Sequence, residues 1–552
     1  MQSAFLVSDT VAAGYQQDPR AVGGSLALSA LVSVIPLAVV LVLLGVLRLR
    51  AQWAALSGLA ASLIVALVAF RMPVGSALAA ASEGAFFGLF PILWIVVNAL
   101  WVFNLTVATG HFDVLRRSFG ALAIDQRTQA ILVAFCFGGL MEALAGFGAP
   151  VAISAVMLVA LGFEPLKAAV LALVANTVPV AFGGMGVPVI TLAKVTGLPL
   201  EQVASVVGRQ TPLLALFVPL VLVFIVDGRR GVREAWQPAV VCGVVFAISQ
   251  FVTSNYLSVE LTDIVAALLG AVSVVLLARI RSGAPWAARQ PAIAATGGPG
   301  TAVQPDSRAE IRKAYAPYVI IVAVFAISQV PFIKAVLDSV KIAFVWPGLD
   351  VVSPAGKPLT IATYSLTVLS TAGTLLLVSG VIVAAVLGVG PARTVAAWGR
   401  TVVELRWAIL TVASVLALAY VMNASAQTTA IGLVVAGAGG ALAFLSPVLG
   451  WFGVAVTGSD TSSNALFGSL QVTAAQAAGL PPELLASANS SGGVLGKMLS
   501  PQNLTIAAAA VKLDGQEGVL LRKVIGWSVG LLILLATVIA LQATPVLGWM
   551  LP

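Results

Sequence analysis

The stretch from Ser25 to Leu47 contains no charged residue. About 20 apolar residues span a bilayer core as a helix, so this segment is long enough to cross a membrane. Similar stretches recur to Ile280 and again from Tyr315 to the C-terminus. With 60% hydrophobic and 9% charged residues in the whole chain, water cannot be its main solvent. Lipid offers no partner to backbone N–H and C=O groups, which favours helices. The expected fold is therefore all-α and polytopic, with about 12–14 transmembrane helices.

The same composition removes several chemistries. Two cysteines, Cys136 and Cys242, are too few for a disulfide framework or a four-thiolate zinc site, and His111 is the only histidine. The net charge of +8 is spread singly and in pairs between apolar runs, which fits membrane topology better than a nucleic-acid stripe. Placing the N-terminus outside makes the clusters around Arg48, Arg116, Arg127, Arg229, Arg279 to Lys313, Arg393 and Arg522 cytoplasmic. Arg71, Lys334, Lys341 and Lys357 are then external.

Residues 281–314 are rich in Arg, Pro, Gly and Ala and read as a cytoplasmic linker. It separates a membrane half over residues 25–280 from a second over residues 315–552, with residues 1–24 as an N-terminal segment. The halves echo each other. Ala175-Asn176 is followed by Gly183, Met185 and Pro188, and Ala488-Asn489 by Gly496, Met498 and Pro501 at the same offsets. Upstream lie two further interrupted stretches, Glu142 to Pro150 and Thr457 to Asn464. Broken or re-entrant helices at matching places in two repeated halves mark the binding site of a secondary transporter, because exposed backbone at mid-membrane must line a cavity or be buried in protein.

Three charged residues stand in these segments. Glu142 lies between apolar runs, where an ionised acid costs about 2.5 to 3.5 kcal/mol, so it is a proton carrier or else a solvated carboxylate at a hairpin tip. Asp460 sits among Thr457, Ser459, Thr461, Ser462, Ser463 and Asn464, a set suited both to binding and to helix capping. Lys497 is a counter-charge for an anion, an ion-pair partner of Asp460, or a lysine snorkelling to the interface. Lys194 and Arg209 are weaker candidates beside an expected loop at Thr196 to Glu201. Gly496-Lys497 imitates a phosphate loop, but Ser491 and Met498 replace the glycine and hydroxyl that loop requires.

The stretches Met141 to Ile153, Ala175 to Pro188, Thr457 to Phe467 and Gly492 to Met498 together resemble the bacterial L-lactate permease family. The resemblance implies a multi-pass protein of the bacterial cytoplasmic (inner) membrane that carries L-lactate, and in relatives D-lactate or glycolate, in symport with protons. It also implies kinship with a broader ion-transporter superfamily that uses inverted repeats, re-entrant hairpins and often elevator-like motion. Met141 and Ala143 depart from the family pattern of Leu and Gly around the glutamate.

The expected partners are the small acid, protons, the lipid bilayer and a second copy in a homodimer, with no cofactor, metal or nucleic acid. Glu142 and Asp460 are assigned to proton coupling. Gly146, Gly148, Asn176, Thr177, Ser462, Ser463, Asn464, Asn489, Ser490, Ser491 and Lys497 are assigned to the substrate, because a 2-hydroxy acid needs helix N-termini, a cation and small hydroxyl or amide groups. The alternatives are a sodium-coupled carboxylate transporter or cation/proton exchanger of the same superfamily and, more remotely, a membrane-embedded hydrolase.

Overall fold

A computed structural model describes residues 14–120, 125–146, 148–282, 306–354, 356–359 and 362–552. Most of the N-terminal segment and most of the 281–314 linker lie outside the described residues. The linker's final residues are helical: Arg308–Ser328 opens with a capping box in which Ser307 and Glu310 satisfy each other's backbone N–H groups.

Among the described residues, ten helices are long and apolar enough to cross a membrane. Leu200–Leu257 is a hairpin that folds back around Gly228, whose φ is 56°. Gly243 of its second arm lies against Ala215 and Leu216 of the first. Large apolar side chains such as Leu31, Ile64, Val68 and Ile280 stay exposed on the perimeter, as contact with hydrocarbon requires.

Among the described residues, strands are confined to one end. Tyr15–Gln16 pairs in parallel with Val351–Val352, and Ile342–Val345 pairs antiparallel with Thr363–Leu366. Tyr15 also donates to the Phe70 carbonyl, which brings Arg71 to this strand-bearing end along with the segment containing Lys334, Lys341 and Lys357. Elsewhere Arg127 bridges Asp227 and Glu234 at the hairpin turn, and Arg117 pairs with Asp306. Cys136 and Cys242 are buried free thiols 3.5 Å apart.

Four interrupted helix pairs fill the interior. In the first, Gly138–Leu144 and Ala149–Ala160 are separated at Gly146 and Gly148, whose φ values of 48° and 86° favour glycine. Pro165–Ala175 and Gly183–Thr196 form the second, with left-handed backbone at Gly184, Met185 and Gly186. In the third, Gly458 closes Leu442–Thr457 in a left-handed C-cap, and Ser459 caps Asp460–Ala478. The fourth joins Pro482–Gly496 to Pro501–Ala510, whose cap is Ser500. The second and fourth share a helix–turn–helix course, but they break at different offsets: helix stops at Ala175 in one and runs on to Gly496 in the other.

The third and fourth pairs cross backbone on backbone. A Cβ on Gly492 would lie 2.1 Å from the Pro447 carbonyl oxygen, and one on Gly496 would lie 2.1 Å from that of Trp451. Small residues of this kind let helices approach closely where lipid provides no hydrophobic drive between them. Gly492→Ala and Gly496→Ala should therefore each destabilise the purified protein by about 1–3 kcal/mol or more. Gly526→Ala, where a methyl group meets nothing within 4 Å on the Glu517–Gln542 helix, should be neutral or stabilising. Thermal melts of the three variants in detergent check this order.

Candidate functional site

The four breaks converge on a cavity of about 70 Å3. Its walls include Glu142 and Gly146 from the first pair, Gly183 and Gly184 from the second, Gly458 to Thr461 from the third and Lys497 from the fourth. The N-terminus of the Asp460–Ala478 helix opens onto it, and the left-handed turn at Gly184 to Gly186 leads into the helix that brings Val187 and Pro188 to its wall. The partial positive charge of that helix end at Asp460 favours an anion there.

At the centre, Lys497 donates to Glu142 Oε1 at 2.5 Å, while Asn176 Nδ2 donates to Oε2 at 2.9 Å. Both charged residues are buried, at 6% and 3% exposure, so Glu142 is not a solvated hairpin tip and Lys497 does not snorkel. Glycine at 183 makes room for the acid, because a Cβ there would stand 2.9 Å from Oε1. Lys497 thus pairs with Glu142 instead of the Asp460 partner considered from sequence. Its location in the short turn between the fourth pair's helices directs it to the first pair, a tertiary outcome that chain spacing does not encode.

Asp460 occupies the first turn of its helix. One carboxylate oxygen accepts from Ser490 at 2.6 Å and from Asn464 at 3.3 Å; the other, Oδ1, is buried without a hydrogen-bond partner among the described residues. Asn464 also donates to the Pro188 carbonyl and accepts from Asn489, which ties the second, third and fourth pairs together. The helix cap comes from Ser459, so Asp460 keeps its side chain for the interior.

The remaining expected residues divide by what their polar atoms contact. Ser491 Oγ and Asn176 Oδ1 are buried without a hydrogen-bond partner among the described residues. Thr177 donates to the Val174 carbonyl and Ser463 to the Gly450 carbonyl, so both hydroxyls are engaged by backbone. Ser462 provides its backbone N–H to the Ser459 cap. Gly148 packs on Ile506 and Asn503, away from the cavity wall. Arg209 holds Asn255 and the Met550 carbonyl, and Lys194 belongs to a helix that runs through Thr196.

Sequence reading passed over two buried acids. Asp263 accepts from Gln250 at 3.1 Å and lies within electrostatic reach of Glu142. Glu83 is fully buried on Val74–Phe87. Each follows the rule that singled out Glu142, an acid flanked by apolar sequence, but neither sits beside a Gly/Ser interruption.

The L-lactate permease family model matches residues 29–546. Glycolate permease GlcA of Escherichia coli is 41% identical over 94% of this chain and 96% of its own length. The L-lactate permeases of Bacillus subtilis and Escherichia coli are 39% and 38% identical, each over 96% of this chain and 98% of their own.

Removing one member of a buried pair strands the other's charge. Lys497→Met should cost about 3–5 kcal/mol of stability, and adding Glu142→Gln should recover most of that loss. A double-mutant cycle on thermal melts measures the coupling.

Proposed function

The chain belongs to the L-lactate permease family, and on that premise we propose that it moves L-lactate and related small 2-hydroxy monocarboxylates, glycolate and D-lactate among them, in symport with protons. It is a multi-pass protein of the bacterial inner membrane, and its relatives are named as permeases. The observation that carries the reading is the arrangement of Lys497, Glu142 and Asp460 around one small cavity.

With both acids ionised, the three groups carry one net negative charge and repel an anion. Protonation of Glu142 leaves Lys497 free to hold the substrate carboxylate, while protonation of Asp460 removes the charge facing it. The amides of Asn176, Asn464 and Asn489 and the hydroxyls of Ser490 and Ser491 are the nearby polar groups suited to the 2-hydroxyl. Anion and proton together add no net charge to the site. A complete transport cycle therefore moves no net charge and avoids about 2.3 kcal/mol per elementary charge per 100 mV of membrane potential.

Orientation follows the positive-inside rule, with the arginine clusters around Arg117, Arg127 and Arg230 in the cytoplasm and the strand-bearing end outside.

Labelled L-lactate uptake into proteoliposomes is the test. Accumulation should follow an inward proton gradient and ignore a sodium gradient; the reverse result would reject proton coupling in favour of sodium. Asp460→Asn should abolish accumulation while sparing lactate–lactate exchange. Unchanged accumulation would leave Glu142 as the carrier of the proton.

A further inference from the structure

A second buried acid and lysine lie between the cavity and the strand-bearing end. Glu83 is 0% exposed, and neither carboxylate oxygen has a hydrogen-bond partner among the described residues. Lys194, from the second broken pair, is the cation within its electrostatic reach. The ammonium group lies over the rings of Phe87 and Tyr364, 5.9 and 5.8 Å from their centroids. Two tyrosines lie within electrostatic reach of the acid as well: Tyr364 from the strand Thr363–Leu366, and Tyr420 from Arg406–Ala424, whose hydroxyl is buried without a partner among the described residues. Lys341 acts on Lys194 from the strand-bearing end.

The same helix connects this cluster to the central cavity. Val187 lines the cavity, and Lys194 is two helical turns further along that face, about 10 Å away at 1.5 Å per residue. Between them stands Thr191, with a fully buried hydroxyl that has no partner among the described residues. Buried polar groups are normally satisfied, so unpartnered groups at Glu83, Tyr420 and Thr191 call for an explanation. Charged residues at membrane depth ordinarily mark ion or proton pathways.

We propose that Glu83 is a second proton-binding site, coupled to Lys194, on the route from the strand-bearing end to the cavity. The proton comes from water at that end and forms an O–H bond with the Glu83 carboxylate. Neutral Glu83 leaves the Lys194 ammonium uncompensated, which draws a carboxylate anion towards Thr191 and the cavity. On the far side the anion leaves first, and loss of the proton then restores the acid–lysine attraction and bars its return. The order is proton first, anion second. This rests on the symport reading above.

Infrared titration of purified protein without substrate separates the two. Wild type should show a protonated-carboxyl stretch, lost on raising the pH, that Glu83→Gln lacks and Glu83→Asp retains. Identical titrations in wild type and Glu83→Gln would overturn the proposal whatever the transport result. In proteoliposomes a pH gradient of about one unit permits up to about tenfold accumulation in a one-to-one symport. Glu83→Gln should lose this tenfold concentration while lactate–lactate exchange persists, and Glu83→Asp should restore it. Full accumulation by Glu83→Gln would also reject the proposal, whereas failure of wild type to accumulate lactate would reject the symport reading itself.

Discussion

The ion pair between Lys497 and Glu142 joins residues 355 positions apart in the chain, beneath all four helix breaks. Two charges removed from water are costly, and their mutual attraction offsets that cost only with close geometry and further hydrogen bonds. Asn176 provides one such bond. Asn503 and Ser500 hold the Lys497 carbonyl, which fixes the turn that carries the lysine. Closing the pair therefore requires the first, second and fourth broken pairs to meet, and the cavity is the space left at their junction.

Backbone satisfaction explains why the breaks take their local form. A helix end in hydrocarbon exposes N–H and C=O groups that need partners. Ser459 and Ser500 supply side-chain caps, and Gly458 terminates a helix in the left-handed region that glycine enters without strain. A Cβ at Gly458 would also meet the Gln502 side chain at 2.7 Å, so conformation and space both favour glycine there.

Much of this was legible in the sequence. Uncharged runs announced the helices, and Gly, Pro, Ser and Asn inside such runs announced the breaks. Glu142, Asp460 and Lys497 were visible because a charge in an apolar run has few explanations. Partner choice was not legible, since pairing of Lys497 with Glu142 depends on how distant helices pack. Nor was the fate of each hydroxyl: Ser463 and Ser490 belong to similar small-residue runs, yet one binds a backbone carbonyl and the other reaches Asp460. Helical phase decides between those outcomes. Glu83 and Asp263 sit in regular helix, where no Gly/Ser interruption marks them.

The glycine-lined crossing of the third and fourth pairs has a mechanical corollary. Side chains between helices act as a compliant layer that can re-seat in new rotamers as the helices slide, but carbonyl oxygens set directly against a neighbouring backbone offer no such layer. Leu442–Thr457 and Pro482–Gly496 are thus welded, so any displacement of one carries the other with it as a single block.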